Sequence, residues 1–164
     1  MKKPFKWLKD QNNGQRWGMT PNGAMFVIDA NDVEKIGVKG VYITTHGYFS
    51  VWDKGKNVSL HRYLTAPGRN ENIDHINMKK WDNRRDNLRV ATKAQNGFNR
   101  EAPSQNKSGV KGVSWDKFTG KWVGRLVANK KVMLHKRYDT FGEAVAAYSD
   151  ASAKYHGDFG RTTA

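Results

Sequence analysis

The chain has 164 residues, with 29 Lys and Arg against 15 Asp and Glu, a net charge of +14, and no cysteine. That length allows one ordinary domain or two small ones, and the basic excess points to polyanionic partners. The absence of thiols excludes disulfides and thiolate zinc sites and fits a reducing, cytosolic setting. Six Trp, six Tyr and seven Phe are enough to fill a core, so disorder is not expected. No segment approaches the roughly 20 apolar residues that span a bilayer, and the basic MKKPFKWLKDQ start lacks the apolar run of a secretory leader.

In chain order, residues 1–23 read as an amino-terminal extension. Residues 24–64 read as β-rich: AMFVI, a short helical turn at 31–36, then VYITT, YFSVWD and NVSLHRYL as a meander. His46-Gly47 and Asp53-Lys54-Gly55-Lys56 are its hairpin turns. In residues 73–96, IDHINMKKWDNRRDNLRVATKAQN, short apolar pieces around Ile73 and at 88–91 flank a polar loop. Thr92 and Gln95 then form a capping box, which starts a helix bearing Asn96.

EAPSQNK at 101–107 reads as a linker. Beyond it VKGVSWD, KWVGRLVA and KVMLHKRY predict three strands. A second capping box, Thr140 with Glu143, opens a helix whose apolar stripe runs from Phe141 to Tyr155 and stops at Gly157. GVKGV occurs at 37–41 and again at 109–113, but the flanks differ and the match reads as coincidence rather than duplication.

The loop at 73–96 carries the chemistry. Hydrolysing a phosphodiester needs a base for the attacking water and a cation for the charge on the oxygens. A hard metal such as Mg²⁺ takes oxygen ligands and keeps several waters. Asp74 and Asn96 could supply those oxygens, and His75, with a reference pKa near 6.5, could be the base. The bland alternative is an exposed turn, since Asp and His are ordinary turn residues.

His75, Asn87 and Asn96, in Asp-His…Asp-Asn-Leu-Arg…Gln-Asn, resemble the HNH motif of HNH homing endonucleases. The run from Leu60 to Leu64 and the run from Asp82 to Arg89 resemble that family too, over roughly residues 25–100. The resemblance implies a ββα-metal fold in which Asp74 and Asn96 hold one Mg²⁺ or Mn²⁺ ion, His75 is the general base and Asn87 holds the loop that aims it. Lys79, Lys80, Arg84, Arg85 and Arg89 are expected against phosphates. Trp81 reads equally as a DNA wedge or as core, and His61 reads as a strand histidine satisfied by a hydrogen bond.

The carboxy-terminal part, on Ser108 to Trp115, Gly120-Lys121-Trp122, Phe141 to Tyr148 and Ala153 to Gly157, resembles the DNA-binding domain of plant ethylene-response factors. That implies a sheet laid in the major groove, with Lys111, Ser114, Trp115, Arg125, Lys131 and Met133 at the reading positions. Ser114 and Met133 depart from the plant pattern, so a target sequence does not transfer. For Trp122 core packing is the stronger reading.

The expected class is therefore α+β: an HNH nuclease module with an amino-terminal β-meander over 24–100, the 101–107 linker, and a three-stranded sheet packed on one helix over 108–163. The expected activity is metal-dependent cleavage of double-stranded DNA by a monomer with no obligate protein partner and no membrane attachment, in the cytoplasm of a host cell if the gene is phage-borne. The rival expectation is a DNA-binding regulator with a silent HNH scaffold.

Overall fold

A computed structural model describes residues 5–8 and 13–161. The protein is α+β, with several small antiparallel sheets and short helices. Its contacts divide it into two compact units, residues 1–91 and 92–164.

In the first unit β1 (Lys6–Trp7), β2 (Gln15–Met19) and β3 (Met25–Asp29) form one antiparallel sheet in that order. Two of its strands lie within residues 1–23, so the expected extension supplies sheet structure to this unit. Gly18 is required there: a side chain on it would collide with the ring of Phe26 on the neighbouring strand. After a 3-10 turn and α1 (Val33–Ile36) come β4 (Val41–Ile43), β5 (Phe49–Asp53) and β6 (Lys56–Ser59), the expected meander. Lys54 and Gly55 link β5 to β6 with both φ angles positive, 47° and 75°, the backbone that a two-residue hairpin needs.

The second part of the expected strand NVSLHRYL is a helix. The chain leaves β6 at Ser59, and Leu60–Thr65 forms α2. Its buried residues Leu60, His61 and Leu64 repeat at helical rather than alternating spacing, and Pro67 follows close behind its end. Leu60 and Leu64 join Phe26, Ile28, Ile36, Val41, Phe49 and Val51 in one core. β7 (Asn72–His75) then pairs antiparallel with β8 (Leu88–Ala91), Asp74 opposite Arg89 and His75 opposite Leu88.

The second unit begins with α3 (Lys93–Phe98), whose Thr92–Gln95 capping box forms as expected. β9 (Val113–Asp116), β10 (Lys121–Ala128) and β11 (Lys131–Tyr138) make a sheet in the order β11-β10-β9, and α4 (Phe141–His156), opened by the Thr140–Glu143 capping box, packs on it. Val113, Leu126, Ala128, Ala144 and Tyr148 are the core. The two GVKGV copies differ in shape: Gly112 has φ 74°, whereas Gly40 has no positive φ, which agrees with coincidence.

Candidate metal and DNA site

Asp74 and His75 sit at the end of β7, 5% and 6% exposed. Side chains on a strand alternate, so the two neighbours meet different surroundings. Asp74 Oδ2 accepts hydrogen bonds from Arg89 Nε at 3.0 Å and Nη2 at 2.8 Å, across the β7–β8 pair. The His75 ring meets His61 edge-on, with centroids 5.0 Å apart, and Tyr48 at 6.2 Å. Tyr48 also lies 5.6 Å from His61, so two histidines and a tyrosine share one buried cluster.

His75 Nε2 lies 3.4 Å from Asn83 Oδ1. The Asn83 amide nitrogen donates to the Lys80 carbonyl at 3.2 Å, which turns Oδ1 toward the ring and favours the tautomer with the proton on Nε2. Burial pushes the His75 pKa below the usual histidine range, against the Asn83 bond and the nearby Asp74 and Asp82 carboxylates, which act to raise it. His61 is pushed down further, to about 3, by burial first and then by His75 and Arg62. Both rings are therefore neutral at pH 7.

The loop after His75 is fixed at several points. Asn87 Oδ1 accepts from the Asn77 backbone at 2.9 Å, its Nδ2 donates to the Asp82 carbonyl at 2.7 Å, and its own carbonyl accepts from Ile76 at 2.9 Å. Asp82 is buried and accepts a two-pronged bond from Arg84 at 2.7 Å and one from Asn77 at 2.8 Å. Burial alone would raise the Asp82 pKa, but these bonds hold it below the ordinary value. The loop also runs along β3: Val27 N donates to the Trp81 carbonyl and Asn83 N to the Val27 carbonyl, both at 2.9 Å.

The cations expected on phosphates fare unequally. Arg85 grips the buried Asp32 with two bonds of 2.9 and 2.7 Å, Arg84 is taken by Asp82, and Arg89 by Asp74. Lys80 Nζ donates to the His46 carbonyl at 2.9 Å and lies over the Tyr48 ring, while Lys79 lies over Trp81. Repulsion in the run is relieved inside the fold, because each guanidinium finds a carboxylate. Trp81 is half-exposed and packs on Trp17 with centroids 5.5 Å apart.

In the second unit the strand register sorts the expected reading residues by face. Trp115 is opposite Trp122, and Trp122 packs on Phe141 of α4 at 4.8 Å, so Trp115 lies on the helix side. Ser114, Val123, Arg125, Val127, His135 and Arg137 fall on the outer side by alternation and pairing. Lys131 pairs with the buried Ala128, and Met133 falls in a bulge between Leu134 and Val132. Among the described residues neither the Arg125 guanidinium nor the Lys131 ammonium makes a hydrogen bond or ion pair.

Lys111 is turned inward: its ammonium donates to the carbonyls of Gly97, Phe98 and Arg100 at 3.0, 2.8 and 3.0 Å. A lysine donates three hydrogen bonds, so all are used. This removes Lys111 from the expected DNA-facing set. Asn96 belongs to α3, is half-buried, and its carboxamide makes no hydrogen bond among the described residues.

The family model described as HNH endonuclease matches residues 66–98, from the turn before β7 to the end of α3. The chain is 36% identical over 89 residues to Protein 3.8 of Escherichia phage T7, covering 54% of this chain and 73% of that protein. It is 31% identical over 124 residues to an uncharacterized HNH endonuclease of Acanthamoeba polyphaga mimivirus, covering 72% of this chain and 63% of that protein. Residues 66–98 are thus similar to the HNH endonuclease family. No solved structure matches it significantly. The matched segment holds Asp74, His75, Asn87 and Asn96, and among the described residues no three His, Cys, Asp or Glu side chains converge on one point. No helix among them is long and apolar enough to cross a membrane.

The sequence reading missed Tyr48 as a neighbour of His75, and it missed Asn83 as the partner of the ring. Asn83 lies in the Asp82 to Arg89 run, which was the available signal. Tyr48 is 27 positions from His75 in sequence and gave none.

Proposed function

We propose that the protein is a DNA endonuclease of the HNH homing type, acting as a monomer on double-stranded DNA in the cytoplasm of a phage-infected host. Asp74 and Asn96 are the residues that would hold one Mg²⁺ or Mn²⁺ ion. They fit it chemically: a carboxylate and an uncommitted carboxamide offer the hard oxygens such ions take, with water and phosphate completing the shell. The ion supplies positive charge to the phosphate oxygens and the leaving alkoxide.

His75 receives the proton of the attacking water. Its buried, neutral ring is in the receptive state at pH 7, and in the tautomer favoured by Asn83 the lone pair is on Nδ1. Asn87 keeps the strand end and the following loop in register, which holds the ring against His61 and Tyr48. The second unit, with the sheet-and-helix composition of an ethylene-response-factor domain, docks on DNA through its outer face, using Arg125 beside Ser114, with Lys131 at the hairpin end.

The observation that carries this reading is the buried Asp74–His75 pair at the end of β7, followed by a loop that Asn87 staples, inside the family match. Incubation with supercoiled plasmid and Mg²⁺ tests it, beside Asp74→Ala and His75→Ala. Nicking by the parent protein and none by the variants is the expected result; no nicking in Mg²⁺ or Mn²⁺ on varied DNA would end the reading. One observation favours the rival regulator with a silent scaffold, namely that Arg89 occupies Oδ2 of Asp74. That reading requires DNA binding without cleavage in any divalent metal.

A further inference from the structure

The helix that bears Asn96 is too short to hold itself. α3 has six residues and buries none of them completely, and isolated helices of fewer than about 12 residues are marginal in water. Its order is imposed from outside. The Thr92–Gln95 capping box closes the amino end, and the carboxyl end, where helix carbonyls lack partners, meets Lys111.

Three carbonyls, of Gly97, Phe98 and Arg100, receive the three N–H bonds of one ammonium, whose positive charge also suits a helix carboxyl end. Lys111 is placed by its neighbour: Gly112 has φ 74° and lies against the Tyr148 ring, where any side chain would collide. The second fastening is aromatic. Phe98 stacks on His156 with centroids 3.7 Å apart and planes 14° apart, and His156 Nε2 is 3.2 Å from the Val127 carbonyl of β10. A continuous path of contacts therefore runs from β10 through His156 and Phe98 to α3 and back through Lys111.

We propose that Lys111 and His156 are positioning residues for Asn96: they fix the rotation of α3 and so the direction in which the Asn96 carboxamide is presented. This rests on the reading of Asn96 as a metal ligand, and it gives the sheet and helix of the second unit a part in presenting Asn96 as well as in docking. The competing role for Lys111 is a phosphate contact, which its three internal bonds oppose.

The test uses the full chain with Lys111→Met, Lys111→Arg and His156→Ala. Three quantities are measured: amide hydrogen exchange at residues 96–100, Mn²⁺ affinity in the presence of DNA, and the salt dependence of DNA binding. Loss of an outer-shell partner typically costs about 10–100-fold in metal affinity. Lys111→Met and His156→Ala are expected to speed exchange in α3 and weaken Mn²⁺ binding by about tenfold or more, with Lys111→Arg restoring part of both and the salt slope unchanged. A salt slope lower by about 0.9 in Lys111→Met, with α3 exchange as in the parent, would make Lys111 a phosphate contact and overturn the proposal.

Faster exchange with unchanged Mn²⁺ affinity would reduce the pair to a structural clamp and also overturn it. A variant that has merely unfolded is identified by its circular dichroism and by loss of DNA affinity, and the Arg variant then carries the test. If the parent binds Mn²⁺ but does not nick, the positioning role stands and the nuclease reading fails; if it binds no Mn²⁺ while Asn96→Ala behaves identically, both fail.

Discussion

The loop between β7 and β8 and the outer face of the β9–β11 sheet are both basic, but they use their charges in opposite ways. Arg84 and Arg85 in the loop and Arg89 on β8 are bound to Asp82, Asp32 and Asp74, and they hold the surroundings of His75 in shape. On the sheet Arg137 is held by Asp116, while Arg125 makes no such pair among the described residues. A guanidinium committed to a buried carboxylate contributes to folding, whereas an uncommitted one is available to a phosphate or a base edge. The contrast suggests that density of basic residues marks a DNA surface poorly unless the acidic partners are also counted.

If the loop exists to fix His75, the largest effect belongs there. His75→Ala is expected to lower the rate of plasmid nicking by about 10²–10⁴-fold, the usual range for a general base, with DNA affinity retained in a gel-shift assay. Comparable rates in the two proteins would show that the rigid loop serves something other than this histidine.

Arg85→Ala tests the structural use of loop cations. It strands the Asp32 carboxylate, which is 2% exposed and, among the described residues, keeps only Lys35 at 3.4 Å as an ion-pair partner, and should cost about 2–3 kcal/mol in urea unfolding. The slope of log affinity against log salt should stay as in the parent. A reduced slope with unaltered stability would move Arg85 to the DNA-contacting group.

The buried His61 gives a pH test of the same cluster. Its folded pKa is near 3, below the ~6.5 of the unfolded chain, so below that pH the unfolded state takes up a proton the folded state refuses. Its contribution to stability is complete above about pH 6.5 and is lost progressively as the pH falls toward 3. Between pH 6.5 and 5, above most carboxylate titration, the loss should be about 2 kcal/mol, and His61→Phe should flatten that limb in unfolding curves. An equally steep decline in the variant would place the pH sensitivity elsewhere.

The smallest effect is expected on the sheet. Arg125→Ala should leave stability within about 0.5 kcal/mol and lower the salt slope of DNA binding by about 0.9. An unchanged slope would remove Arg125 from the proposed docking face.

Much of the fold could be read locally. The β4–β6 meander, the β7–β8 pair, both capping boxes and the three-stranded sheet with its helix follow from turn residues and hydrophobic spacing within a few positions. The strand expected over 57–64 stops at Ser59: Val58, Leu60 and Leu64 fit an alternating run, and the burial of His61, which gives the helical spacing, does not show in sequence. The candidate site was legible only as a motif: the order Asp74, His75, Asn87 and Asn96 is local sequence information, and the Asn87 carboxamide bonds the Asn77 and Asp82 backbone. The surroundings of His75 were only partly legible, since Asn83 is near in sequence and Tyr48 is not.

Sequence alone determined which residue types stand in motif order and where most strands and turns begin, because hydrogen-bond caps, hairpin backbones and alternation act over a few residues. Tertiary structure decided the fate of the cations and the attachment of α3. Arg85 and Asp32 are 53 positions apart, and His156 reaches Phe98 only after a whole sheet and helix have folded. Ion pairs and ring stacks act through space with no fixed sequence spacing, so nothing in the order of residues marks Lys111 as a helix clamp rather than a contact for DNA.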